Sequence, residues 1–170
     1  PIWMSPEIDE ATGVPIGIGL TELQKALKQD PIAVLLTEPG YLGTISDLPA
    51  LISASHREKV PVILDAAWGG HFGFHPQLPR HAFQLGADAL ITSTHKALPG
   101  YSASALLLAR TTLLSEERLE QSFETTHTTS PAGAPLASID GVRALLQTRG
   151  EELIENLLRN IHQFKETVQA

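Results

Sequence analysis

Lys96 follows Ser93, Thr94 and His95 in "LITSTHKALPG", directly beyond an apolar run, and Asp65 ends the apolar run of "VILDAAWGG". A lysine just past a strand is costly to bury as a cation. Its amine either reaches solvent or gives up its charge by forming a Schiff base with an aldehyde. Ser93 and Thr94 bring hydroxyls, and with nearby backbone N–H groups they make a set that holds a phosphate. His95 contacts that phosphate or packs against a ring beside it. An aldehyde and a phosphate on one small molecule are what pyridoxal 5'-phosphate carries. Its pyridine nitrogen is the better electron sink when protonated, and a buried carboxylate paired with it keeps the proton there. Asp65 suits that position, and it also reads as a plain cap of the next turn. Ala67 is small enough to lie flat against a ring face. Trp68 either donates its indole N–H to the ring hydroxyl or packs.

The elements that must hold these residues are visible in the hydropathy pattern. Apolar runs at 32–37, 61–65 and 87–93 read as buried strands, and 102–110 as a fourth of undecided direction. Thr21, with Gln24 three residues on, reads as a capping box for a short helix to about residue 29. Asp47 caps a helix over 48–58, and Ser115 one over 116–123. The segment 80–86 reads as a short helix stopped by Gly86. Two more helices, 136–148 and 151–168, are separated at Gly150. Residues 1–19 and 125–135 read as irregular. Strands alternating with helices give an α/β fold, a mostly parallel sheet flanked by helices on both faces. Ligands of such sheets bind beyond the carboxyl ends of the strands, where Thr37, Asp65 and residues 93–96 all fall. Open sheets of this kind commonly carry more than four strands, so further strands are expected upstream.

Composition narrows the function. The chain has 170 residues, 42% apolar and 18% charged, which suits one domain with a substantial core. A formal charge of −7 argues against a nucleic-acid partner. The absence of cysteine excludes disulfides and thiolate metal sites, and the seven histidines are scattered without HExxH, so no metal is expected. No apolar span is long enough for a membrane, and nothing points outside the cell, so a cytoplasmic location is expected. GxGxxG and GxxxxGK[ST] are both missing, which disfavours a nucleotide-binding domain.

Four segments, "TEPGYLGTISDLPAL", "PVILDAAWGGHFGFHPQLP", "GADALITSTHKALP" and "TTSPAGAPLASID", resemble in order and spacing the ornithine/lysine/arginine decarboxylase group. That group has the aspartate-aminotransferase-like fold of pyridoxal-phosphate enzymes, fold type I. The resemblance implies part of a large cofactor-binding domain over residues 1–170, with upstream strands and a small C-terminal domain missing. It implies that Lys96 is the Schiff-base lysine, Asp65 the partner of the pyridine nitrogen, and Ser93 a phosphate ligand. His95 resembles the histidine beside the lysine, Ala67 the small residue under the ring, and Thr37 the threonine opening a T-x-P-x-Y-x-G segment. The implied reaction is decarboxylation of a basic amino acid in a homodimer or larger homo-oligomer.

The chain departs from the family at several places. Ala66 and Trp68 stand where the family has a glutamate and a histidine, and Ser102, Ala103 and Leu108 where it tends to have polar groups. Ala132 and Gly133 end "TTSPAG". This thinning keeps three alternatives open: an aminotransferase, another lyase on the same scaffold, and a non-catalytic relative that serves as a structural or regulatory subunit. If the 170 residues stand alone, a weak or absent cofactor site is expected.

Overall fold

The computed structural model describes residues 1–169. A four-stranded sheet runs in the order β3(Val34–Thr37), β4(Val62–Asp65), β5(Ala89–Ser93), β6(Ala105–Ala109). The first three strands are parallel, and β6 is the antiparallel edge. Strand direction at 102–110, open from the sequence, is decided by the short connection from β5, since a parallel return needs a crossover of a dozen or more residues. Residues 1–19, expected to be irregular, hold a small antiparallel pair, β1(Glu7–Ile8) and β2(Pro15–Gly17).

Alternation along the strands sorts the two faces. Val34, Leu36, Val62, Leu64 and Leu90 point into one core with Leu23 of α1(Leu20–Leu27) and Leu51 and Ile52 of α2(Leu48–Arg57). Each fully buried leucine contributes roughly 1.5–3 kcal/mol relative to exposure. Leu35 and Ile91 point the other way and are 68% and 42% exposed. Helices were expected on both faces; the described helices bury one and leave this second face open.

Helix α2 starts where its sequence says. The Asp47 carboxylate accepts from the Ala50 N–H at 3.2 Å, Pro49 sits in the first turn, and Leu48, Leu51, Ile52 and Ser55 form the buried stripe. Ser115 likewise accepts from Arg118 at the start of α3(Glu116–Thr126). Three expectations are corrected. Helix α1 is capped by the extended Gly19, with Thr21 already inside the helix, and no side chain caps it. Residues 82–86 are a run of turns: the backbone bonds span three residues, as from the Leu85 N–H to the Ala82 carbonyl, and the His81 ring takes the Phe83 N–H in place of a helical partner. The C-terminal part is one helix, α4(Gly133–Gln169). Gly150 does not break it: a glycine inside a helix costs only about 1 kcal/mol, and here the residue is buried against Leu146.

Candidate functional site

Parallel pairing brings the polar strand ends to one edge. Thr37 and Asp65 are register partners, and Asp65 pairs with Ile91, so β5 carries Ser93 two residues further along. Adjacent strands lie about 4.8 Å apart, which sets Thr37 and Asp65 side by side. Both are exposed, and Ser93 is buried. The expectation of a buried Asp65 is therefore corrected: it lies on the open face of the sheet. One carboxylate oxygen caps the next turn, accepting from the Ala67 N–H at 3.1 Å. Neither Asp65 nor Lys96 has an ion-pair partner among the described residues.

The turn after β4 carries Ala67 and Trp68. The Ala66 N–H donates to the Ile91 carbonyl at 2.8 Å, and the Gly69 N–H to the Ala66 carbonyl at 2.9 Å. Trp68 projects, 42% exposed, and meets Tyr41 edge-on at 6.2 Å between ring centroids. The Lys96 ammonium lies 5.2 Å from the Trp68 centroid, a cation–π contact. The loop then presses against β5 through Gly70, where a Cβ would stand 2.9 Å from the Ser93 carbonyl oxygen. His75, further along the loop, is buried and donates its Nε2–H to Glu155 of α4 at 3.0 Å, because its Nδ1 accepts from the Gln77 N–H.

Lys96 rides on a closed loop between β5 and β6. The Thr94 N–H donates to the Ser104 carbonyl at 3.0 Å, and the Gly100 N–H to the Thr94 carbonyl at 2.7 Å. His95 Nδ1 lies 2.7 Å from the same Ser104 carbonyl. Thr94 is buried and turned to Ser104, so its hydroxyl belongs to the loop's closure.

Beside Thr37, the Glu38 side chain is buried, and both its oxygens accept from the Ser46 N–H at 3.1 Å. Burial pushes its carboxyl above the ordinary value. Burial also lowers His71, whose Nδ1 is buried without a partner.

Of the expected site residues, the structure joins Ala67 to Asp65 and Lys96 to Trp68, with Thr37 on the strand beside Asp65 and Ser93 and His95 leading to the lysine. Sequence reading passed over Tyr41, Glu38 and Ser104. Tyr41 was signalled by the "TEPGY" segment; Ser104 had no local signal. The donor set fits pyridoxal 5'-phosphate: a lysine amine with no acidic partner, a carboxylate with one oxygen uncommitted and no cation beside it, and a buried serine at the strand end. The fit is to the aldehyde and pyridine ends, since Thr94 is already occupied.

Residues 1–170 match the family described as "Orn/Lys/Arg decarboxylase, major domain". Arginine decarboxylase of Bacillus subtilis (strain 168) is 37% identical over 168 residues, covering 98% of this chain and 34% of that protein. Arginine decarboxylase of Bacillus anthracis is 34% identical over 170 residues, covering 99% and 34%. The chain thus spans about a third of the length of the curated relatives it matches. Among solved structures, serine palmitoyltransferase from S. paucimobilis with a bound PLP–myriocin aldimine superposes with a TM-score of 0.58 at 16% identity, covering 78% of this chain and 34% of that one. At that identity the likeness is one of fold.

Proposed function

The chain belongs to the Orn/Lys/Arg decarboxylase family, and from that premise we propose that it is the site-bearing part of a pyridoxal-phosphate-dependent decarboxylase of a basic amino acid. The observation that carries this reading is the placement at one sheet edge of a lysine amine with no acidic partner among the described residues, on the loop after β5, and a carboxylate with one oxygen uncommitted, at the end of the neighbouring β4. When bound, the cofactor supplies an aldehyde for the substrate amine and an electron sink for the pair released as CO2 leaves.

This chain's own residues then have separable tasks. Lys96 would hold the cofactor's aldehyde through its amine. Asp65 keeps a proton on the pyridine nitrogen with the oxygen that Ala67 does not use. Ala67 and Trp68, on the turn after β4, would bound the space for the ring. Ser93 and His95 serve the phosphate side, and Thr37 closes the edge next to Asp65.

A partial large domain, completed in the full-length protein by upstream strands and a C-terminal domain, goes with this reading. The one-third coverage of the relatives and the open face of Leu35 and Ile91 support it. A homodimer in the cytoplasm is part of the same proposal; the exposed Tyr41 and Leu42 beside the site support the dimer. No helix among the described residues is long and apolar enough to cross a membrane.

The test is CO2 release from arginine, lysine and ornithine by the full-length protein loaded with cofactor. Release from one of them, lost in Lys96→Ala, is expected. Conversion of the amino acid to its keto acid without CO2 makes the protein an aminotransferase, and no conversion of any amino acid by a cofactor-loaded protein contradicts the enzyme reading.

A further inference from the structure

Lys96 and Asp65 stand on separate loops and no ion pair joins them, so their spacing depends on what holds the two loops. Helix α4 holds both. Among the described residues it makes two side-chain hydrogen bonds to the rest of the chain, and each ends on one of those loops.

Near the start of α4, Ser138 Oγ accepts from the Tyr101 N–H at 3.0 Å, and its own proton goes to the Pro135 carbonyl at 2.8 Å. The Tyr101 carbonyl takes the Ser104 hydroxyl at 2.6 Å, and the Ser104 carbonyl takes the Thr94 N–H at 3.0 Å, two residues before Lys96. Further along α4, Glu155 accepts from His75 Nε2–H at 3.0 Å, the other ring nitrogen of this buried histidine being taken by the Gln77 N–H. The Gly73 N–H bonds the Pro79 carbonyl and the Leu78 N–H the His75 carbonyl, which closes residues 73–79 into one unit. Back toward Asp65 runs a series of turn bonds, from Phe72 to Gly69, from Gly69 to Ala66, and from Ala67 to the Asp65 carboxylate. Bonded paths thus lead from α4 toward both site residues. From Ser138 to Glu155 the helix rises roughly 25 Å, at about 1.5 Å per residue, unbroken at Gly150. Between these attachments Val142 and Leu146 line one apolar cleft with Phe74 of the first loop and Leu98 of the second.

We propose that α4 is a brace across the two loops, with Ser138 and Glu155 as positioning residues that fix the spacing of Lys96 and Asp65. The inference deepens the decarboxylase reading and rests on it for the cofactor. Lys96 and Asp65 are to meet opposite ends of one rigid ring. A ligand gripped at two points binds tightly only where the grips are already spaced for it.

The brace is read first without cofactor, by amide hydrogen exchange on the full-length protein. Glu155→Leu removes the acceptor for His75, and Ser138→Ala the acceptor for Tyr101. In a brace, releasing one end loosens the loop at the other. Exchange over residues 97–104 is expected to rise about 10-fold in Glu155→Leu, and over 70–79 by as much in Ser138→Ala. Glu155→Gln and Ser138→Thr keep an acceptor and should exchange like wild type. A rise confined to the loop beside the substitution overturns the brace. Should Glu155→Leu fail to fold, Ser138→Ala carries the same comparison.

Cofactor affinity tests what the brace does. Each single variant should bind pyridoxal 5'-phosphate about 10-fold more weakly in an absorbance titration. The double variant Ser138→Ala with Glu155→Leu should also lose about 10-fold, since a brace freed at one end no longer spans the loops. A double loss of about 100-fold, the product of two independent contacts, overturns the proposal. So does wild-type affinity in both single variants. Because exchange is measured without cofactor, a protein with coupled loops that binds no pyridoxal 5'-phosphate refutes the decarboxylase reading and leaves the brace standing.

Discussion

Strands β4 and β5 have a carboxylate at each end, and the two are treated in opposite ways. Asp88, just before β5, is 2% exposed; one oxygen accepts from the Val62 N–H at 2.8 Å and contacts His56 Nε2 at 2.7 Å. It stitches α2, β4 and β5 together at the end of the sheet away from Lys96. Asp65, at the other end, is exposed and makes one bond, to the turn it caps. The contrast separates a carboxylate that holds the fold from one kept ready for a ligand. A buried charge must be paired and hydrogen-bonded to persist, whereas a charge awaiting a cationic partner must stay uncommitted.

Exchanging the losses at the two ends sharpens this contrast. Asp65→Asn keeps the cap acceptor and removes the charge. Turnover of the cofactor-loaded full-length protein is expected to fall on the order of 10²–10³-fold, the scale of losing one preorganised electrostatic partner. Its unfolding free energy should stay within about 0.5 kcal/mol of wild type, as for a surface position. A large loss of stability with normal turnover would reverse the assignment of the two carboxylates. Asp88→Ala is the converse. It strands the buried Val62 N–H and the His56 ring and should cost about 3 kcal/mol by denaturant unfolding, with turnover per folded molecule unchanged.

Gly70→Ala asks whether the site end is as tightly built as the Asp88 end. Its Cβ would meet the Ser93 carbonyl oxygen at 2.9 Å, so backbone rather than a flexible side chain must shift to admit it. A loss of about 1–3 kcal/mol, accompanied by weaker cofactor binding, is expected in a thermal melt and a cofactor titration. An unchanged melt would show that the loop carrying Trp68 floats free of β5.

Glu38 is the intermediate case, buried like Asp88 but with no cation. Desolvation raises its carboxyl in the folded state, so the fold binds this proton more tightly than the unfolded chain does. The stabilisation from that proton is complete below the unfolded value and lost as pH rises through the folded one. Glu38→Gln retains an acceptor for Ser46 and has no charge to bury. Its melting temperature should exceed that of wild type at pH 7 and lose the advantage in acid. Equal melting at both pH values would mean that water reaches the carboxylate.

What the sequence made legible follows the range of the interactions. The parallel strand ends, the Asp47 and Ser115 caps and the convergence of Thr37, Asp65 and residues 93–96 all come from local patterns, and the structure has them. The continuity of α4 through Gly150 was not legible, because packing of its flanks outweighs one glycine. The His56–Asp88 contact was invisible, since it joins residues 32 apart in sequence, and the Thr94–Ser104 contacts were hidden because they depend on how the loop after β5 closes. The exposure of Asp65 was misjudged for a related reason: an apolar strand implies two covered faces, and the described helices cover one.

The central claim is that Lys96 and Asp65 form one cofactor site. The most direct measurement is borohydride reduction of the full-length protein incubated with pyridoxal 5'-phosphate, followed by peptide mapping. The account predicts a phosphopyridoxyl label on Lys96, greatly reduced in Asp65→Ala. A label on another lysine, or equal labelling of Lys96 in that variant, would contradict it.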